Sequence, residues 1–94
     1  MSTLGARIKE LRIHNGVLLR QVAAYLEVDT ALISKIEKGT RVLNRQQISQ
    51  IAQFLKTSEE ELTILWLCDK VLDTVKGQPL AINGIQRALI ELNK

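Results

Sequence analysis

Hydrophobic residues recur along this chain at every third or fourth position, which is the period of an amphipathic α-helix. No segment alternates apolar and polar residues with the period of a strand. The signals between the periodic segments, such as Asn15-Gly16 and Gly39, are also typical of helix ends. The pattern therefore predicts an all-α fold with helices at about residues 3–14, 19–26, 30–38, 45–55, 59–75 and 80–92.

Short polar residues stand where several of these helices are predicted to begin. Their side-chain oxygens can accept hydrogen bonds from the free N–H groups of the first helical turn. The predicted caps are Ser2 or Thr3 for the first helix, Asp29 for the third, Asn44 with Gln47 for the fourth, and a Ser58–Glu61 capping box for the fifth.

Two of the predicted helices form a motif of their own within Gln21–Gly39. They are short, they are separated by a turn of three to four residues, and Ala23 is small where they must cross. This spacing predicts a helix-turn-helix, whose second helix has one face free of the core. The free face carries short or cationic side chains that suit a major groove, namely Thr30, Ala31, Ser34, Lys35 and Lys38.

Basic and acidic side chains are distributed unevenly along the chain. Residues 1–56 have nine basic and four acidic side chains, whereas residues 57–94 have four basic and six acidic ones. A basic first part indicates a surface for a polyanion, and the acidic remainder suits protein contacts. We expect a single compact domain, with a DNA-binding headpiece at residues 1–61 and C-terminal helices at residues 62–94 that complete the core and form a dimer interface.

From about Thr3 to Glu61 the sequence resembles the phage-repressor/Cro-type (XRE-like) helix-turn-helix DNA-binding domains. The resemblance lies in GARIKELR at residues 5–12, Gly16, Val22-Ala23, ISKIEKG at residues 33–39 and SEEEL at residues 58–62. It implies a five-helix repressor-like domain, here with an extra C-terminal helix, and base reading by the start of the third helix. We expect base contacts from Thr30, Ala31, Ser34 and Lys35, and phosphate contacts from Arg20, Lys38, Thr40, Arg41 and Arg45.

Glu37 has a predicted structural partner. It follows buried Ile33 by four residues, so it lies near the core, and a carboxylate close to a helix C-terminus is disfavoured by the helix dipole. A cation must therefore compensate the charge of the Glu37 carboxylate. Arg12 at the end of the first helix is the candidate, and the family resemblance implies the same pair.

The sequence departs from the family pattern in two places. Glu27 occupies a turn position that is usually glycine, so a left-handed conformation there would store about 1 kcal/mol of strain. Leu18 and Leu19 stand where the family offers a polar cap and a glutamine to a DNA phosphate. We infer that Arg20 takes over this phosphate contact.

The C-terminal third is apolar on more than one helix face, so it must be covered on more than one face. We expect a homodimer that places two reading helices in successive major grooves of a palindromic operator. The alternative is that the sixth helix folds back to complete the core of its own chain. The expected interface residues are Leu65, Trp66, Val71, Leu72, Ile85 and Leu89, with Trp66 at its centre.

The amino-acid composition argues against most other classes of function. His14 and Cys68 are the only histidine and cysteine, and no glycine-rich phosphate loop is present, so we expect no enzyme activity, cofactor or metal. Three aromatic residues are too few for a base-stacking platform. Cys68 is expected to be a small buried hydrophobe. Without a secretory signal or a spanning segment, the expected location is the cytoplasm, with no membrane contact.

The sequence thus predicts a small homodimeric transcriptional regulator that binds double-stranded DNA, and a repressor or autoregulator in particular. Two alternatives remain open. One is an antitoxin, or another protein that holds a partner through its C-terminal helices. The other is a controller protein of a restriction–modification operon.

Overall fold

The computed structural model describes residues 2–94, and within them every regular element is an α-helix, as predicted. The six helices follow one another with short connections. They are α1 (Thr3–His14), α2 (Leu19–Leu26), α3 (Thr30–Lys38), α4 (Arg45–Phe54), α5 (Glu59–Val75) and α6 (Ala81–Leu92).

The helix caps follow the polar residues of the sequence, with two differences. Asn44 and Gln47 form a reciprocal box, in which each side-chain oxygen accepts the backbone N–H of the other residue at 2.8 and 3.0 Å. Only the serine half of the predicted Ser58 box is present, because the Glu61 carboxylate instead accepts a hydrogen bond from Nε of Arg7 at 2.8 Å. Asp29 occupies the N-cap position of α3 but makes no capping bond with its side chain.

The core lies among the first five helices. It consists of Leu4, Ile8, Val22, Ala23, Leu26, Ile33, Ile36, Leu43, Ile48, Ile51, Ala52, Leu55 and Leu62. Helix α5 contributes Leu62 to this core, and Leu65 and Trp66 pack against it. Helix α6 contributes no buried residue.

Asp69 on α5 holds the first turn of α1 in place. Its carboxylate accepts the N–H groups of Thr3 and Leu4 at 2.8 and 3.0 Å, and the Ser2 and Thr3 hydroxyls at 2.8 and 2.7 Å. The Ser2 hydroxyl oxygen accepts the next N–H, that of Gly5, at 2.9 Å. The free N–H groups of α1 are therefore satisfied partly by a helix 65 residues away in the chain.

Beyond Trp66, the outer faces of α5 and α6 are uncovered. Leu67, Val71 and Leu72 on α5 are 50%, 45% and 44% exposed, and Leu89 on α6 is 58% exposed. The expectation that Cys68 is buried is wrong, because it lies in this uncovered part of α5 and is exposed.

Candidate nucleic-acid interface

The turn between α2 and α3 sets the angle at which α3 leaves the core. Glu27 adopts φ 59° and ψ 45°, the left-handed conformation expected from its position. This allows the Val28 N–H to donate to the Ala23 carbonyl at 2.9 Å, which closes the end of α2. Ala23, the small residue expected where the two helices cross, is buried.

Helix α3 has one buried and one open face. Ile33 and Ile36 are buried, and they fix the rotation of the helix against the core. On the other face Thr30, Ala31 and Lys35 are exposed, and Ser34 is half-buried. The four residues expected to contact bases thus lie on one helix, and three of them have short side chains.

The end of α3 is closed by the residues that follow it. Gly39 takes φ 83°, and both the N–H and the hydroxyl of Thr40 donate to the Lys35 carbonyl, at 2.9 and 3.2 Å. A phosphate offers only acceptors, so the Thr40 hydroxyl can donate to one only after leaving the Lys35 carbonyl. The phosphate contact expected of Thr40 therefore requires its hydroxyl to exchange one acceptor for another.

The cations expected at phosphates are all open to solvent. Arg20 lies in the first turn of α2, Lys38 in the last turn of α3, Arg41 in the connection that follows, and Arg45 at the start of α4. All four are exposed, and their side chains form no ion pair within the described residues. Their charge is therefore available to an external anion.

Gln21 fills a role that the sequence did not suggest. Its side-chain oxygen accepts the Leu18 N–H at 2.7 Å, and so closes the start of α2 where the chain has no polar cap. The signal was its place three residues after Leu18, which is where a capping box puts glutamine.

Arg12 and Glu37 form the expected ion pair between α1 and α3. Nε and Nη2 of Arg12 donate to the two carboxylate oxygens at 2.7 and 3.1 Å, and Nη1 donates to the Val17 carbonyl at 3.0 Å. The side chains are only 12% and 5% exposed. The hydrogen bond to Glu37 raises the pKa of Arg12 and outweighs burial, which lowers it. The pair therefore fixes α3 and the α1–α2 connection together.

A family model described as a helix-turn-helix domain matches residues 3–65. The chain belongs to the helix-turn-helix domain family. No curated protein and no solved structure matches the chain significantly. Membership of the helix-turn-helix domain family indicates DNA binding and a role in transcription regulation, and it accords with the open face of α3.

The helix-turn-helix domain match ends at Leu65, so most of α5 and all of α6 lie beyond it. Among the residues expected at a dimer interface, Leu65 and Trp66 pack against the core of their own chain. Val71, Leu72 and Leu89 are exposed, and Ile85 is half-buried. No helix among residues 2–94 has the length and apolar character needed to cross a membrane.

Proposed function

We propose that this protein is a sequence-specific regulator of transcription that binds double-stranded DNA as a homodimer and acts by occupying its operator. The observation that carries this proposal is the open face of α3, which is held rigidly by two buried isoleucines and by the Arg12–Glu37 pair. A helix fixed in this way can enter a major groove without first being ordered.

Base reading is assigned to the first two turns of α3. Thr30 and Ala31 are short enough to let the helix backbone approach base edges, and both can touch a thymine methyl group. Ser34 and Lys35 follow one turn later, and Lys35 can donate to the acceptors of guanine. Each good bidentate contact with a base contributes about 1–3 kcal/mol of discrimination.

Phosphate binding is assigned to exposed cations on both sides of this helix. Arg20 precedes it, Lys38 lies in its last turn, and Arg41 and Arg45 follow it. Contacts of this kind set the register of a protein on DNA and make its affinity depend steeply on salt. Thr40 is assigned a phosphate contact as well, which its hydroxyl makes by exchanging the Lys35 carbonyl for a phosphate oxygen.

The partner that we propose for the uncovered surface of α5 and α6 is a second copy of the chain. Isolated helices of about 12 residues are marginal in water, and α6 has no fully buried residue within its own chain, where only Ala81 and Ile85 are half-buried. A two-fold axis would place the apolar faces of α5 and α6 against the same faces of the partner. The proposed interface centres on Val71, Leu72, Ile85 and Leu89, because Leu65 and Trp66 already serve their own core.

Repression is the proposed outcome of binding, because blocking polymerase requires only occupancy of the promoter. An antitoxin or a controller of a restriction–modification operon would use the same DNA-binding face. An antitoxin would cover α5 and α6 with a partner protein, so its oligomeric state and any copurifying protein distinguish it from a plain regulator. A controller protein would be distinguished by the neighbouring gene.

The decisive experiment is selection of bound sequences from a random duplex pool, followed by a salt series on the selected duplex. We expect a palindromic consensus and a steep fall in affinity with salt. Lys35→Ala and Thr30→Ala should relax the base preference, whereas Arg41→Ala should weaken all sequences about equally. Lys76→Ala is the control for lost charge, because Lys76 is exposed at the far end of α5. If no duplex is retained even at low salt, the proposal fails.

Sedimentation tests the proposed dimer separately. Leu89→Asp should give monomers at micromolar concentration and abolish the preference for two half-sites. Ile13→Asp is the matched control, because Ile13 is 59% exposed and Leu89 is 58% exposed, but Ile13 lies on α1 outside the proposed interface. A wild-type monomer at this concentration would contradict the dimer while leaving DNA binding by α3 intact.

A further inference from the structure

The connection between α3 and α4, residues 39–44, is held by a residue of α5. Leu43 in this connection is 2% exposed, and its carbonyl oxygen accepts a hydrogen bond from the indole Nε1 of Trp66 at 2.9 Å. Trp66 is the only tryptophan of the chain. The bond joins α5 directly to the segment that carries Arg41.

Trp66 also lies beside two cations. Nζ of Lys70 is 4.3 Å from the ring centroid, and Cζ of Arg45 is 6.0 Å from it. Both distances are within the range of a cation–π attraction. Such an attraction restricts the guanidinium of Arg45 without using its N–H donors, which remain free for phosphate oxygens.

The rest of this connection is not tightly packed. A cavity of about 360 Å³ separates it from the start of α1 and from α5, and its lining includes Gly39, Thr40, Arg41 and Trp66. Arg41 is exposed at the edge of this space. The hydrogen bond to Leu43 is therefore a fixed point in a segment that could otherwise move toward the cavity.

We propose that Trp66 is a positioning residue for DNA binding, which holds residues 39–44 and the Arg45 side chain in the arrangement that receives DNA phosphates. The inference rests on the proposed DNA-binding function. Trp66 itself touches no DNA. Its effect is to order Arg41 and Arg45 before binding, so that less conformational entropy is lost when the phosphates arrive.

The first test is Trp66→Phe, which removes the N–H donor but keeps an aromatic ring. The probe is a mixed-sequence duplex of about 30 base pairs, because phosphate contacts do not depend on sequence. We expect a rise in Kd of up to about 10-fold, because the free energy of the lost hydrogen bond is the most that it can contribute to ordering the segment before binding. The slope of log Kd against log salt should also become shallower, by up to about one released ion per weakened contact.

Leu65→Val is the control. Leu65 is the neighbour of Trp66 on α5 and packs against the same core, but it does not line the cavity beneath residues 39–44. Its replacement should lower stability without changing Kd or the salt slope. Equal Kd values and slopes for Trp66→Phe and the wild type would overturn the proposal.

A double-mutant cycle with Arg41→Ala tests whether Trp66 affects DNA binding through Arg41. If Trp66 acts by presenting Arg41, then Arg41→Ala should raise Kd by a smaller factor in the Trp66→Phe protein than in the wild type. Factors that simply multiply would show that the two residues act independently, and would contradict the proposal. A wild type that binds no duplex would instead remove the proposed function, which is a different result.

The wild-type protein offers a further measurement that does not depend on the folding of any variant. Because Trp66 is the sole tryptophan and lies 6.0 Å from the Arg45 guanidinium, its emission reports on this cluster. Titration with the same duplex should change the emission with the same midpoint as binding. Emission that stays constant to saturation would contradict the assigned role.

Discussion

Gly5 of α1 lies directly against the backbone of Ile36 in α3. A Cβ atom built on Gly5 would overlap the Ile36 carbonyl oxygen and would lie 2.9 Å from the carbonyl oxygen of Glu37. The two helices therefore cross at a distance that no other residue type permits. This crossing places α3, and with it the proposed reading face, relative to the core.

Replacing Gly5 with alanine should lower the free energy of unfolding by about 2 kcal/mol or more, because backbone atoms must move apart to admit the methyl group. Helix propensity alone predicts the opposite, a gain of up to about 1 kcal/mol. Denaturant unfolding measures the difference. The control is Ala6→Gly at the exposed neighbouring position, which should cost only the propensity difference. A stabilised Gly5→Ala protein would show that the helices can separate freely.

Replacing Glu37 with glutamine should lower the free energy of unfolding by about 3 kcal/mol or more, because it leaves the Arg12 guanidinium buried without an anion. The side chains of this pair are 12% and 5% exposed, so water does little to compensate. Chemical denaturation at neutral pH is the measurement.

The control for this change is Glu10→Gln in the Arg7–Glu10 pair, where Glu10 is 69% exposed. Surface pairs contribute at most about 1 kcal/mol, so this variant should stay close to the wild type. Equal losses in the two variants would contradict a special role for the buried pair.

Replacing Glu27 with glycine should raise the free energy of unfolding by up to about 1 kcal/mol, because the φ of 59° is strained for any residue with a Cβ atom. Lys56 offers a second instance with φ 55°, and Lys56→Gly should act in the same direction. Thermal unfolding compares both with the wild type. Loss of stability at both positions would mean that these side chains make contacts worth more than the strain.

Asp69 should make the stability of the protein sensitive to acid. Burial raises the pKa of its carboxyl. Four hydrogen bonds outweigh burial and hold this pKa below its usual value; their donors are the Leu4 N–H, the Thr3 hydroxyl, the Thr3 N–H and the Ser2 hydroxyl. A lowered folded-state pKa means that folding favours the ionised form. The stabilisation is fully present above the unfolded pKa of about 3.9 and is lost as the pH falls through the folded-state value.

The measurement is the difference in unfolding free energy between the wild type and Asp69→Asn as a function of pH. We expect a constant difference at neutral pH, which shrinks below about pH 4. Asp73→Asn is the control, because Asp73 is 79% exposed and, among residues 2–94, forms an ion pair with Lys76 alone, at 3.6 Å. A difference that is the same at pH 7 and at pH 2 would contradict this account of Asp69.

The sequence by itself determined the helices and the helix-turn-helix. Their start signals are contained within a few neighbouring residues, as at Asn44 and Gln47, and the apolar period fixes which face of each helix is buried. The ion pair of Arg12 and Glu37 could be expected because a carboxylate next to a buried position needs a cation.

Only the tertiary structure decided which distant residues meet. Asp69 closes the start of α1, and Trp66, which the sequence suggested for a dimer interface, donates to the Leu43 carbonyl. The packing of the helices brings these groups within hydrogen-bond distance. No periodic signal encodes such a pairing, since each residue is locally an ordinary member of α5. The sequence predicted that the C-terminal third needs covering on more than one face, but only the packing of the other helices decided that the uncovered positions begin after Trp66.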